Sequence, residues 1–215
     1  MIEKTTAPST IKNKTNLLLI FTRNPELGKV KSRLAADVGD KNALEIYKIL
    51  LNHTFNITKN LAIDKQVWYS ENIPKSDLWS TADFKKMLQP ETEDLGERME
   101  FAFKKGFYEG YQNIIIIGSD LYDISPSEIE HAFQLLKNNN AVIGPATDGG
   151  FYLLGLSNPI PELFKNKKWG TNTVLKDTLI NLKNYSFEQL DPKNDVDYLS
   201  DIEGIEIFKP YTENQ

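Results

Sequence analysis

Two short runs of unbroken apolar residues constrain this chain more than any other feature. Residues 17–21 read Leu-Leu-Leu-Ile-Phe, and residues 114–117 are four consecutive isoleucines. Neither run alternates with polar residues, so each suits a strand covered on both faces rather than one with a wet side. Both are far shorter than the ~20 residues needed to cross a bilayer, so no membrane span is expected. A strand buried on both faces calls for a layer of helices on either side of the sheet.

The sequence between these runs supplies the helices. A helix is expected over about 41–60, with Ala43, Tyr47, Leu50, Leu51, Thr54, Thr58 and Leu61 near a helical period. Asp94 stands three residues before Glu97, a capping-box spacing, and opens a second helix to about 110. Ser125, Pro126 and Glu128 mark a third start as N-cap, first helical residue and reciprocal cap, before the apolar face Ile129, Ala132, Phe133, Leu136. A fourth helix is expected over 171–182 and a short one over 197–203. Further strands are expected at 67–69, 84–88, 141–144, 151–156 and 186–190. Strands alternating with helices predict a mainly parallel α/β sheet. In such sheets ligands bind beyond the carboxyl ends of the strands, where the strand order reverses.

The 215 residues favour one domain. Residues 1–15 are polar and lack the apolar core of a signal peptide, so they are expected as a disordered lead-in. One domain is expected over 16–209, with a tail at 210–215. The net charge of −5 argues against a nucleic-acid partner. The chain has no cysteine, which excludes disulfides, thiolate metal sites and a cysteine nucleophile, and fits the cytoplasm.

Chemistry is therefore sought just after the strands. The segment following residue 21 packs Arg23, Lys29, Lys31 and Arg33 into eleven residues of an acidic protein, with Gly28 free to make a tight turn. Such a loop reads as a phosphate cradle or as a solvated basic loop. The spacing of a Walker loop is absent. Gly118-Ser119-Asp120 follows the isoleucine strand, and an aspartate there is well placed to hold Mg²⁺ with phosphate oxygens; a loop cap is the alternative. Asp148-Gly149-Gly150 reads first as a hairpin turn. Asp191, Asp195, Asp197 and Asp201 hold a possible second metal ligand, or are caps and a solvated acidic face. Trp169 precedes a helix and is read as packing, with ligand contact as the second option. His53 and His131 stand alone and receive no role.

Taken in order, these segments resemble a family of uncharacterised bacterial proteins of the glycosyltransferase-A superfamily, described as nucleotide-diphospho-sugar transferases of a domain of unknown function. The resemblance runs from about Leu17 to Asp201. It rests on residues 22–34, on Asp94-Leu95-Gly96-Glu97-Arg98-Met99, on Gly118-Ser119-Asp120, on residues 144–156 and on Asp195-Val196-Asp197. It implies a single-domain Rossmann-like fold that binds a nucleotide or nucleotide-sugar with Mg²⁺ or Mn²⁺. Members are also similar to the guanylyltransferase that activates phospholactate. Gly28, Lys31 and Arg33 look like the counterpart of the superfamily's short phosphate loop, here lengthened by residues 24–27. Asp120 is similar to the first aspartate of its metal motif, while Tyr122 stands where a second aspartate is usual.

The resulting expectation is a metal-dependent transferase, a glycosyltransferase acting on a nucleotide-sugar. A nucleotidyltransferase releasing pyrophosphate and a catalytically inactive nucleotide-binding protein are the alternatives. Thr22, Arg23, Gly28, Lys31, Arg33, Gly118 and Ser119 are expected to bind the nucleotide. Asp120 is expected to act in catalysis through the metal that neutralises the phosphate oxygens, and Lys31 and Arg33 by stabilising the charge that builds on the leaving diphosphate. Asp120 is expected to hold the metal with Asp195 or Asp197, Asp148 being the alternative. A small-molecule acceptor is expected over Asp148, Gly149, Gly150 and Trp169.

Overall fold

The computed structural model describes residues 14–212. Seven strands form one sheet in the order β3-β2-β1-β4-β6-β5-β7. They are β1 (Lys14–Thr22), β2 (Asp64–Tyr69), β3 (Phe84–Leu88), β4 (Tyr111–Gly118), β5 (Ala141–Pro145), β6 (Phe151–Leu156) and β7 (Phe187–Gln189). The helices are α1 (Ser32–Thr58), α2 (Leu95–Tyr108), α3 (Pro126–Leu135), α4 (Val174–Leu182) and the short α5 (Lys209–Thr212). Strand β6 alone runs antiparallel, between β4 and β5. The expected single, mainly parallel α/β domain is what the chain forms.

The two apolar runs lie side by side at the centre, with Leu17 through Ile20 in register with Ile114 through Ile117. Successive strand residues point to opposite faces. Leu18, Ile20, Ile115 and Ile117 therefore enter one core with Ile129, Phe133 and Leu136 of the α3 region. Leu17, Leu19, Ile114 and Ile116 enter the other with Met99, Ala102 and Phe103 of α2. A third core seats α1 against the C-terminal segment through Val196, Ile202 and Phe208.

Element starts at α2 and α3 follow their caps. Asp94 accepts from the Glu97 amide, and Ser125 and Glu128 close a reciprocal capping box. The start of α1 differs from expectation. The helix begins at Ser32, nine residues ahead of 41, and Gly39 interrupts it with φ 78 and ψ 157. The apolar period is visible only beyond that kink, so residues 32–38 read as loop although they are helix. Strand β1 takes Lys14 and Thr15 from the expected lead-in, the rest of which lies outside the described residues. Helix α5 takes Pro210 to Thr212 from the expected tail. Over the acidic C-terminal region a short 3₁₀ turn, Leu199–Asp201, replaces the expected helix.

The chain leaves β1 towards β2 and β3 on one side and returns to β4 on the other, so the order reverses between β1 and β4. Strands β1, β4, β5 and β7 share one direction and end on one edge of the sheet. No helix among the described residues is long and apolar enough to cross a membrane.

Candidate functional site

The segments that follow β1, β4, β5 and β7 meet on that edge. After β1 the chain turns through Gly28, at φ 73, and reaches Lys31, which serves as N-cap of α1 in the left-handed conformation (φ 49, ψ 47). A left-handed lysine is strained, and such strain persists only where the surroundings fix it. Here its side chain is fixed: only 5% exposed, Lys31 Nζ donates to Asp120 Oδ2 at 2.8 Å and to Asp197 Oδ1 at 3.0 Å. Arg33, in the first turn of α1, donates from Nη1 to the other oxygen of Asp197 at 2.9 Å. Burial alone would lower the Lys31 pKa; the charges of Asp120 and Asp197 outweigh it and raise it. Burial pushes Asp120 up, but Lys31 overcomes this and holds the carboxyl below its ordinary range.

Asp120 reaches this position because Gly118 has no side chain. A Cβ on Gly118 would stand 2.6 Å from Asp120 Oδ1. Asp197 arrives from the other side. After β7 the chain pairs with the end of β5 through Lys193 and then crosses to β4, where the Val196 amide donates to Asp120 O at 3.3 Å. Asp201 braces this crossing by accepting from the amides of Asp197 and Tyr198, and Asn194 ties it to Thr147. Asp195 lies in the same crossing and is pushed up to about 7. Burial is the main cause, followed by the charge of Asp120, with Asp148 and Asp197 adding and Lys31 opposing.

Beneath the carboxylates is a buried knot of hydroxyls. Tyr47 OH accepts from the Arg23 amide at 2.9 Å and lies 3.2 Å from both Thr22 Oγ1 and Ser119 Oγ. Ser119 Oγ also meets Thr22 Oγ1 at 3.1 Å. The knot joins the ends of β1 and β4, so Thr22, Arg23 and Ser119 are held together with Asp120. Tyr47 reads in sequence only as one apolar helix position. The signal it carried is that a buried tyrosine must find a partner for its hydroxyl.

The structure therefore brings Thr22, Arg23, Lys31, Arg33, Gly118, Ser119, Asp120, Asp195 and Asp197 to one place. The basic residues do not act as one loop. Lys29 is exposed and paired with Glu26 and Glu71, and Arg23 is exposed but its charge still helps to hold Asp120 ionised. Tyr122, in the place of the usual second aspartate, packs on His53 and Phe208. Asp148, Gly149 and Gly150 form the turn between β5 and β6, with Asp148 Oδ1 accepting from the Gly150 amide at 2.8 Å. Gly149 has φ 91 and approaches the backbone of Asn172 so closely that a Cβ would lie 2.4 Å from its carbonyl oxygen. Trp169 packs edge-on against Phe151 and over Gly96, and its indole N–H is buried without an acceptor. Among the described residues no three His, Asp or Glu side chains converge as a ready-made metal cage.

Comparison with known proteins agrees with this architecture. A protein from Desulfovibrio desulfuricans G20, described as a nucleotide-diphospho-sugar transferase, is 31% identical with a TM-score of 0.79, over 85% of this chain and 82% of that one. A nucleotidyl transferase from Methanothermobacter thermautotroptrophicus shares the fold at 10% identity and TM-score 0.63, over 94% of this chain and all of its own. So does Rv0371C from Mycobacterium tuberculosis H37Rv, solved in complex with manganese, at 11% identity and TM-score 0.54, over 88% and 95% of the two chains. Most of the chain is thus covered by a fold shared with transferases. No curated protein matches it. The family model described as "Uncharacterized protein conserved in bacteria (DUF2064)" matches residues 54–171, and the chain belongs to that family.

Proposed function

We propose that this chain is a metal-dependent transferase that takes a nucleotide-sugar as donor and a small molecule as acceptor. The observation that carries the reading is the buried Lys31 ammonium between Asp120 and Asp197 on the edge where β1 and β4 part. Two carboxylates there converge on one cation, and Asp195 beside them is under pressure to shed negative charge. Oxygen donors of this kind suit Mg²⁺ or Mn²⁺. Asp120 and Asp197, with Asp195, would hold the ion, and a bound ion would neutralise the donor's phosphate oxygens.

The remaining work falls to the chain. The first turn of α1 has no side-chain cap and no acidic residue, so its amides are open to an anion. Arg33 adds a guanidinium suited to phosphate oxygens. Thr22, Arg23, Gly28, Gly118 and Ser119 line the nucleotide side in this reading. The acceptor lies over Asp148, Gly149, Gly150 and Trp169, oriented so that its oxygen attacks the sugar carbon as the bond to the nucleoside diphosphate breaks. Positioning and charge stabilisation supply the rate. A cytoplasmic setting goes with this reading.

The likeness to the Desulfovibrio protein supports sugar transfer. The basic first turn of α1 and the fold shared with a nucleotidyl transferase favour a second reading, attack at the α-phosphate with release of pyrophosphate. A thermal-shift panel of the four nucleoside triphosphates and common nucleotide-sugars, with and without Mg²⁺ or Mn²⁺, tests both. Ligand that binds only the folded state raises the melting temperature. A metal-dependent rise with a nucleotide-sugar supports the first reading, and one with a triphosphate alone the second. Binding without release of nucleoside diphosphate or pyrophosphate makes the chain an inactive nucleotide binder. No rise with any of them contradicts the proposal.

A further inference from the structure

We infer that Lys31 is a resident counter-cation that keeps metal off the site until an anionic ligand arrives, so that metal and phosphate donor bind cooperatively. The inference rests on the transferase reading above.

Between Asp120 Oδ2 and Asp197 Oδ1 there is one seat for one cation. Asp120 Oδ2 and Asp197 Oδ1 both point at Lys31 Nζ, from 2.8 and 3.0 Å. A magnesium ion sits about 2.1 Å from its oxygens. An ion that drew on both of these oxygens would stand where the ammonium now stands, and two cations cannot share that place. The ammonium cannot simply drift into water, because its side chain is only 5% exposed and its backbone is pinned at the head of α1. Leaving the carboxylates without another anion would strand a buried charge, which is costly.

A phosphate ligand removes that cost. It offers Lys31 new oxygens beside Arg33 and the open amides of the first turn of α1. Metal entry then becomes favourable because Lys31 no longer competes, and phosphate entry becomes favourable because the metal takes over Asp120 and Asp197. Coupling of this kind is reciprocal, and it is typically about 5–150-fold. Arg33 does not fill the same role: its side chain is half exposed and it holds only the outer oxygen of Asp197.

The test is a titration of the full chain with Mn²⁺, followed by calorimetry and by the electron paramagnetic resonance of free Mn²⁺. Wild type is measured alone and with inorganic pyrophosphate, the solution complex of the two being subtracted from a protein-free titration. Lys31→Met and Lys31→Gln are measured alone, after circular dichroism has shown that they fold. The expected result is weak Mn²⁺ binding by wild type, about tenfold or more tighter with pyrophosphate. Either variant should bind Mn²⁺ alone about tenfold or more tighter than wild type. Variants that bind Mn²⁺ no better than wild type, while wild type still binds it with pyrophosphate, overturn the role of Lys31 and leave the transferase reading standing. If neither variant folds, the wild-type pair decides, and equal Mn²⁺ affinity with and without pyrophosphate overturns the inference. If no protein binds Mn²⁺ under any condition, both the inference and the metal site fall.

Discussion

Gly118 and Tyr47 carry no charge, yet both decide where Asp120 stands. An alanine at 118 fits the strand backbone but meets Asp120 Oδ1 at 2.6 Å, so the carboxylate must move. Gly118→Ala should therefore melt close to wild type while losing about 10–100-fold in Mn²⁺ affinity in the presence of nucleotide, the range seen when a ligand's support is disturbed. Calorimetry with a parallel melting curve checks this, and unchanged affinity would contradict it. Tyr47→Phe removes the acceptor of the Arg23 amide and the hydroxyl shared with Thr22 and Ser119. A buried donor left unsatisfied costs about 1–3 kcal/mol, which urea denaturation would register as a lower midpoint. Of these positions the sequence marks Asp120 and Gly118 as a strand-end pair. Tyr47 is hidden, because a hydroxyl inside an apolar stripe shows its partner only once the strands meet.

At the scale of elements, caps and buried runs were the most legible features. Ser125, Pro126 and Glu128 start α3 where local chemistry puts them. Ser125→Ala opens that capping box and should cost about 1 kcal/mol, measured as a loss of stability in denaturant; no loss would mean that tertiary contacts alone set the helix start. The head of α1 was not legible. Lys31 and Arg33 look like residues of a basic loop, since the stretch to 38 is too short to show a period before Gly39 breaks it. Nor could spacing tell which later aspartate answers Asp120. That depends on the crossing of residues 193–197 over the end of β4, which Asp201 braces locally, from three and four residues on. Of the readings open for the acidic cluster, Asp201 takes that of a cap, accepting from the amides of Asp197 and Tyr198.

For the whole molecule, acid stability follows from carboxylates that the fold keeps ionised. Burial raises Asp77, Glu109 and Glu128, but Lys86 with Tyr69, Lys105 with Lys85, and Lys193 with Ser125 more than offset it, so all three sit below their ordinary values. A depressed carboxylate contributes stability above its unfolded value, 3.8 for Asp and 4.5 for Glu, and loses it as pH falls through the folded value. Asp195, raised to about 7, works the other way and adds stability as pH falls below that value, so the melting temperature should hold or rise from neutral pH to about pH 5 and fall steadily below it; a flat profile to about pH 3 would contradict the assignment. The same fold places the ends of β1, β4, β5 and β7 on one edge, and the account stands or falls on Asp120 there. The most direct measurement is the thermal shift of wild type and Asp120→Asn with the nucleotide-sugar and triphosphate panel, each with Mn²⁺. The account predicts a metal-dependent rise for wild type with one donor and its loss in Asp120→Asn, while the unliganded variant still melts as a folded protein. An equal rise in both proteins would contradict the metal site, and no rise in folded wild type would contradict nucleotide binding itself.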